Sequence, residues 1–276
     1  MSNLKTHSFV SLNGRLSRSS ETNIPALSSA ALVGRGVFTT IAIIDRQPFL
    51  WEKHWRRLSE NCKRTWIDLS TFPEDKTRRA LDEVIAANAF KNGRARITFL
   101  SEAAGEPWPY DSERPTSLLI ITGDNRPKIQ NLSLAVSPFR INSLSPLAGL
   151  KTCNYLEKVL SIVEARKRGF GEAIQLNERG DVSSACMANV FWLRDGILFT
   201  PSLKTGCLAG TTRELVMENL ECKEVEAGIE ELRSADEIFL TSAGLGVTQV
   251  SEFEGRRLSG EAHQISSIVP SAGVNS

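Results

Sequence analysis

Lys151 stands in Leu150-Lys151-Thr152-Cys153-Asn154-Tyr155-Leu156, between a Pro/Ser/Asn-rich loop over 138–149 and an apolar-periodic segment. A primary amine can serve as a base or condense with a carbonyl, although an isolated lysine is ordinarily a solvated charge. Tyr155 follows four positions on, which predicts the same helical face, as a phenol donor or as packing. Gly210-Thr211-Thr212 opens another predicted helix. Free N–H groups, two hydroxyls and the positive end of the helix dipole suit such a start to a phosphate. Thr241 and Ser242, before Ala243-Gly244, form a second candidate loop for the same anion. Arg57 alone reads as a surface charge; beside a phosphate its guanidinium offers a fork.

Other chemistries are poorly served. His7, His54 and His263 are the three histidines, and none has metal-ligand spacing to another His or Cys, so no metal is expected. The five cysteines are scattered without a Cys-x-x-Cys pair, which fits reduced thiols in a cytoplasm. Gly34-Arg35-Gly36 and Gly244-Leu245-Gly246 lack the third glycine of a dinucleotide fingerprint. Asn131-Leu132-Ser133 matches a glycosylation acceptor only by chance.

These residues need elements to position them. Asn13-Gly14 predicts a hairpin, and Gly36 to Ile44 a strand paired, through a turn at Asp45 to Pro48, with Phe49-Leu50-Trp51. Trp55, Leu58 and Cys62 mark a helix over 54–66, and Thr71-Phe72-Pro73-Glu74 reads as a capping box for the next helix. Strands are expected over 95–100, 117–122, 132–136, 173–176 and 237–241, with an Asp195-Gly196 hairpin. Leu156, Val159, Leu160 and Val163 form one stripe of a helix ending near Gly169. Such an order is α+β without regular βαβ alternation. The turn-rich stretch 123–130 divides a domain over 1–122 from one over 131–276.

With 276 residues and net charge +1, the chain carries no basic or acidic excess for nucleic acid or an anionic membrane. Its apolar runs fall far short of a bilayer span, and its opening residues show no signal peptide.

Several ordered blocks resemble the class IV aminotransferase family, the fold-type-IV pyridoxal 5'-phosphate enzymes. They are Gly34-Arg35-Gly36-Val37-Phe38-Thr39-Thr40, His54-Trp55-Arg56-Arg57-Leu58, the lysine block at 146–156, Asn189-Val190-Phe191-Trp192, Asp195-Gly196, Thr200-Pro201 and Gly210-Thr211-Thr212-Arg213. The resemblance implies a small N-terminal α/β domain, a larger C-terminal mixed α/β pseudo-barrel domain, and a homodimer acting on a small amino substrate. It makes Lys151 the catalytic lysine that carries the cofactor in a Schiff base. It gives the phosphate to Arg57, Thr211 and Thr212, with Thr241 and Ser242 nearby, and the cofactor's phenolate oxygen to Tyr155. Thr39, Thr40 and Arg96 are candidate substrate contacts.

One departure stands out. The family's V-[ST]-E-x-x-x-x-N segment places a carboxylate against the pyridine nitrogen; here it reads Val182-Ser183-Ser184-Ala185-Cys186-Met187-Ala188-Asn189. A hydroxyl at Ser184 can hydrogen-bond that nitrogen but supplies no negative charge. Ser184 is natural and weakens the electron sink, or is an introduced change, or yields the role to Asp181 or Glu178. Ser137-Pro138-Phe139-Arg140 and Leu156-Glu157-Lys158-Val159-Leu160 are most similar to the lyase branch, whose members release pyruvate to give 4-aminobenzoate. The alternatives are a transaminase of branched-chain or D-amino acids or (R)-amines, and a cofactor-binding protein with little catalysis.

Overall fold

The computed structural model describes residues 6–102, 115–127 and 129–270. The opening five residues and Lys128 of the expected linker lie outside them. The chain forms two compact units: one holds the described residues up to Arg126 plus Lys151–Asn154, the other Pro127–Leu150 and the described residues from Tyr155 on.

In the first unit, Asn13 and Gly14 both take positive φ and close the hairpin of β1 (Phe9–Leu12) and β2 (Arg15–Arg18). A one-turn helix α1 (Ser29–Val33), capped by the Ser28 side chain, leads into β3 (Gly36–Ile44) and β4 (Gln47–Pro48). Helices α2 (Trp51–Arg64) and α3 (Glu74–Ala87) precede β5 (Gly93–Ser101) and β6 (Thr116–Gly123). The strand expected at Phe49-Leu50-Trp51 is absent: the tight turn at Asp45 and Arg46 lets Gln47–Pro48 pair with β3, and Leu50 already caps α2. The strands form one sheet in the order β2-β1-β6-β5-β3-β4. Alternate residues Val37, Ile41 and Ile43, with Ile97, Phe99, Leu118 and Ile120, face Leu58, Cys62, Leu81, Val84 and Ile85 of the two helices. The expected capping box is absent: Pro73 is the N-cap and no side chain caps α3. Glu74, the acid that would reach back, instead accepts from Trp51 Nε1 at 2.8 Å.

The second unit contains β7 (Leu132–Val136), α4 (Leu156–Lys167), β8 (Glu172–Leu176), β9 (Val182–Ala185), β10 (Asn189–Arg194) and β11 (Ile197–Pro201). It continues with α5 (Thr211–Asn219), β12 (Lys223–Val225), α6 (Ile229–Arg233), β13 (Glu237–Ser242), β14 (Gly246–Phe253) and β15 (Arg256–Arg257). The sheet runs β12-β11-β10-β13-β14-β7-β8-β9, with β15 beside β14. It mixes parallel pairs (β7 with β8 and β14) and antiparallel ones (β10 with β11 and β13), so the fold is α+β. Leu134, Ile174, Trp192, Ile238, Leu240 and Phe253 fill one core cluster; α4 packs over Ala135, Ala173 and Cys186, and α5 over Phe191 and Phe239. No helix among the described residues is long and apolar enough to cross a membrane.

Helix α4 departs from expectation in two respects. It begins at Leu156, with Tyr155 as its N-cap, and residues 151–154 lie outside the helix, with Thr152 bridged to Val37 and Cys153 at a bend. Lys151 and Tyr155 therefore share no helical face. Its apolar stripe also points away from the unit's core: Leu156, Val159, Leu160 and Val163 are 64%, 41%, 51% and 41% exposed, and Ser161, Ile162 and Ala165 are buried instead.

Candidate active site

In the first unit the lysine segment lies along β3. Phe38 N–H donates to Lys151 O at 2.9 Å, Cys153 N–H donates to Gly36 O at 2.8 Å, and Val37 bridges Thr152. So close an approach requires glycine at position 36, where a Cβ would meet Cys153 Sγ at 2.8 Å and Leu100 Cδ2 at 3.0 Å. With its amide oxygen turned to the segment, Asn61 of α2 accepts from Lys151 N–H at 2.9 Å. Main-chain ties of this kind fix where the side chain starts. Lys151 Nζ then lies 4.6 Å from the Phe38 ring centroid, and the Arg96 guanidinium stacks over the same ring at 3.5 Å. Thr40 pairs with Arg96 across β3 and β5. The structure thus gathers Lys151, Thr40 and Arg96 around Phe38.

Thr39 points to the opposite face, toward α2. Its buried hydroxyl accepts from Arg57 Nη2 at 2.8 Å and lies 2.7 Å from His54 Nδ1. Arg57 can only donate, so the Thr39 oxygen accepts from it and makes a second hydrogen bond with Nδ1 of His54. Burial holds the His54 pKa well below its ordinary value, and the charges of Arg57 and Lys151 lower it further. The His-x-x-Arg spacing puts both side chains one turn apart on the sheet-facing side of α2. Thr39, expected to meet substrate, is in place to fix Arg57.

In the second unit Asn189 Nδ2 donates to Leu208 O at 2.8 Å and so anchors the loop that starts α5. Gly210 is the N-cap of that helix and offers no side chain to its first N–H groups. A Cβ at Gly210 would sit 2.0 Å from Asn189 Oδ1, so no larger residue permits this approach. Thr211 and Thr212 are buried in the first turn. Thr241 lies directly opposite Asn189 across β10 and β13. Its hydroxyl is buried with no hydrogen-bond partner among the described residues, and an acceptor on a ligand would satisfy it. Thr241 and Ser242 are the last residues of β13 rather than a loop, and Ser242 pairs with Gly246.

Ser184 is buried in β9, opposite Gln175 of β8. The two nearby acids are committed elsewhere. Glu178 accepts from the N–H and hydroxyl of Ser143 at 2.8 and 2.7 Å, bonds that draw its carboxyl down to about 2. Asp181 accepts from Asn177 Nδ2 and Arg179 Nε at 2.9 and 3.0 Å. Tyr155 lies within cation–π reach of Lys158, whose Nζ is 5.8 Å from the ring centroid. Among the described residues no group of three or more His, Cys, Asp or Glu could hold a metal ion.

Sequence reading alone passes over three polar residues that the structure brings forward: the buried His54 as partner of Thr39, and Lys158 with Gln175. A glutamine between Ile174 and Leu176 in a strand, and a lysine on the buried side of a helix, are the available signals.

The α+β architecture is that of the fold-type-IV enzymes, and comparison with known proteins agrees. The model of the family described as Amino-transferase class IV matches residues 36–253. Aminodeoxychorismate lyase of Bacillus subtilis (strain 168) is 30% identical, over 91% of this chain and 89% of the relative. Branched-chain-amino-acid aminotransferase of Escherichia coli (strain K12) is 25% identical over 91% of this chain and 86% of its own length. A crystal structure of the Escherichia coli branched-chain enzyme matches with a TM-score of 0.87 at 25% identity, covering 95% of this chain and 91% of that one. The chain belongs to the class IV aminotransferase family.

Proposed function

We propose that the chain is a pyridoxal-phosphate-dependent lyase of the aminodeoxychorismate type, releasing pyruvate and 4-aminobenzoate. The observation that carries this reading is the placement of Lys151, pinned through its backbone to β3 with its amine at Phe38 beside Arg96. Likeness to the Bacillus subtilis lyase supports that branch. The residues present fit the cofactor: an amine on a fixed segment, a helix start at Gly210 without a side-chain cap, and a buried Thr241 hydroxyl in want of a partner. When bound, the cofactor supplies an aldehyde for the lysine and a ring that accepts electron density from the deprotonated substrate.

Each residue has a stated task. Lys151 Nζ holds the cofactor, then takes the substrate proton whose loss opens the way to aromatisation and departure of pyruvate. Arg57, kept in place by Thr39 and His54, and the N–H groups and hydroxyls of Thr211 and Thr212 bind the phosphate, with Thr241 and Ser242 nearby. The Tyr155 phenol donates to the ring oxygen, and the Ser184 hydroxyl meets the ring nitrogen. Thr40 and Arg96 face the substrate carboxylates.

Two companion readings follow. The exposed stripe of α4 is a fitting surface for a second copy of the chain, as large apolar patches mark association sites. Five unpaired cysteines suit a reducing cytoplasm. Likeness to the branched-chain enzyme supports a transaminase as the second reading. Purified protein given aminodeoxychorismate should release pyruvate without any keto acid. Amino transfer that depends on a keto acid, with no pyruvate released, would select the transaminase; a Lys151-dependent visible band without turnover would select a binding protein.

A further inference from the structure

We propose that Lys158 is a positioning residue of the cofactor site that fits it to a ring nitrogen carrying no proton, an inference that rests on the role of Ser184 above. Lys158 reaches from α4 to β8, where its Nζ donates to Gln175 Oε1 at 3.0 Å. Gln175 Nε2 in turn donates to Ser161 Oγ at 3.3 Å, and Ser161 Oγ donates to Glu157 O at 3.0 Å. These bonds orient the fully buried amide, with its oxygen held by the ammonium.

Gln175 and Ser184 are direct partners across β8 and β9. Residues so paired point to the same side of the sheet, with Cβ atoms about 4.5–5.5 Å apart. The adjacent pair, Ile174 and Ala185, belongs to the core cluster on the other face, so Gln175 and Ser184 face α4. The same Nζ lies 5.8 Å from the centroid of Tyr155. One ammonium therefore stands by two of the proposed cofactor contacts.

Its placement is costly. Among the described residues no carboxylate comes within ion-pair distance of Nζ; Glu172, the nearby acid of β8, accepts instead from the N–H groups of Ala173 and Cys186 at 2.9 and 3.2 Å. Burial lowers the Lys158 pKa, opposed by the groups that face it: Cys186 after β9, Glu157 on its own helix, Glu172 on β8 and Cys207 before α5. An apolar side chain would fill the position without that penalty. What the cation adds is a field that disfavours a second positive charge nearby. A hydroxyl at Ser184 can donate to an unprotonated nitrogen, whereas a carboxylate can only accept from a protonated one. Serine at 184 and lysine at 158 thus form one coherent setting.

The test reads the nitrogen directly. Apo protein is loaded with pyridoxal 5'-phosphate labelled with nitrogen-15 in its ring, and the resonance is followed against pH. The wild type should show the unprotonated signal at neutral pH. Lys158→Met should raise the protonation midpoint by about one unit or more, tenfold in the equilibrium, and Gln175→Leu should move it the same way by less. A protonated nitrogen in the wild type at neutral pH, or a midpoint unmoved in the variants, overturns the inference. Should Lys158→Met fail to fold, the wild-type signal and Gln175→Leu decide. Protein that takes up no cofactor through Lys151 instead refutes the functional reading, and this inference falls with it.

Discussion

Helices α2 and α4 carry the same kind of stripe and use it in opposite ways. Trp51, Leu58 and Cys62 of α2 are buried against the sheet, together with His54. Leu156, Val159, Leu160 and Val163 of α4 repeat the spacing yet remain exposed. Each helix also sends a cation toward its sheet: Arg57 to Thr39, and Lys158 to Gln175. In α2 the polar residues are inserted among apolar ones that supply the burial. In α4 the small residues Ser161 and Ala165, with Ile162, make the packing, and the large residues are left outward. Periodicity therefore locates a stripe but does not say what covers it.

The largest expected effect tests the inward stripe. Leu58→Ala should cost about 2–5 kcal/mol of folding stability, measured by denaturant unfolding. A loss no greater than that of an exposed alanine substitution would remove one side of the comparison. Thr39→Val should come next: Arg57 and His54 Nδ1 both lose their shared oxygen, costing about 1–3 kcal/mol, with weaker cofactor uptake restored by Thr39→Ser. Uptake unchanged in Thr39→Val would show that Arg57 needs no such tether.

A pH series sharpens the same cluster. His54 is neutral in the folded protein, while in the unfolded chain it titrates at its ordinary value of about 6.5. The unfolded state therefore takes up the proton first. Stability should be full above about pH 7.5 and fall as pH drops through 6.5, by at most ~1.4 kcal/mol per unit, until the folded histidine itself protonates. In His54→Asn that part of the slope should vanish between about pH 7.5 and 5.5. The smallest folding effect belongs to the outward stripe. Leu160→Ala should change the stability of the single chain by less than about 0.5 kcal/mol, while loosening self-association measured by light scattering. A core-sized loss at Leu160, or association untouched by several stripe substitutions, would undo the contrast.

Much of the fold is legible in the amino-acid order. Asn13-Gly14 and Asp195-Gly196 make their hairpins because both residue types accept positive φ, a local rule that tertiary packing does not override. The Gly-Thr-Thr start of α5 is equally plain, since glycine is a favoured residue at a helix N-cap. What stays hidden depends on long-range contacts. The non-helical course of 151–154 is set by bonds to Gly36 and Phe38, which lie far earlier in the chain. The capping box fails because Glu74 has a better partner in Trp51. The roles of Thr39 and Lys158 depend on which sheet face each meets, and no spacing within one helix reports that.

The most direct test of the account is the identity of the lysine that holds the cofactor. Protein loaded with pyridoxal 5'-phosphate is reduced with borohydride, which makes the lysine linkage permanent, and its peptides are mapped by mass. A phosphopyridoxyl group is expected on Lys151 and none on Lys158. Attachment to Lys158 or any other lysine, or no attachment at all, would contradict it.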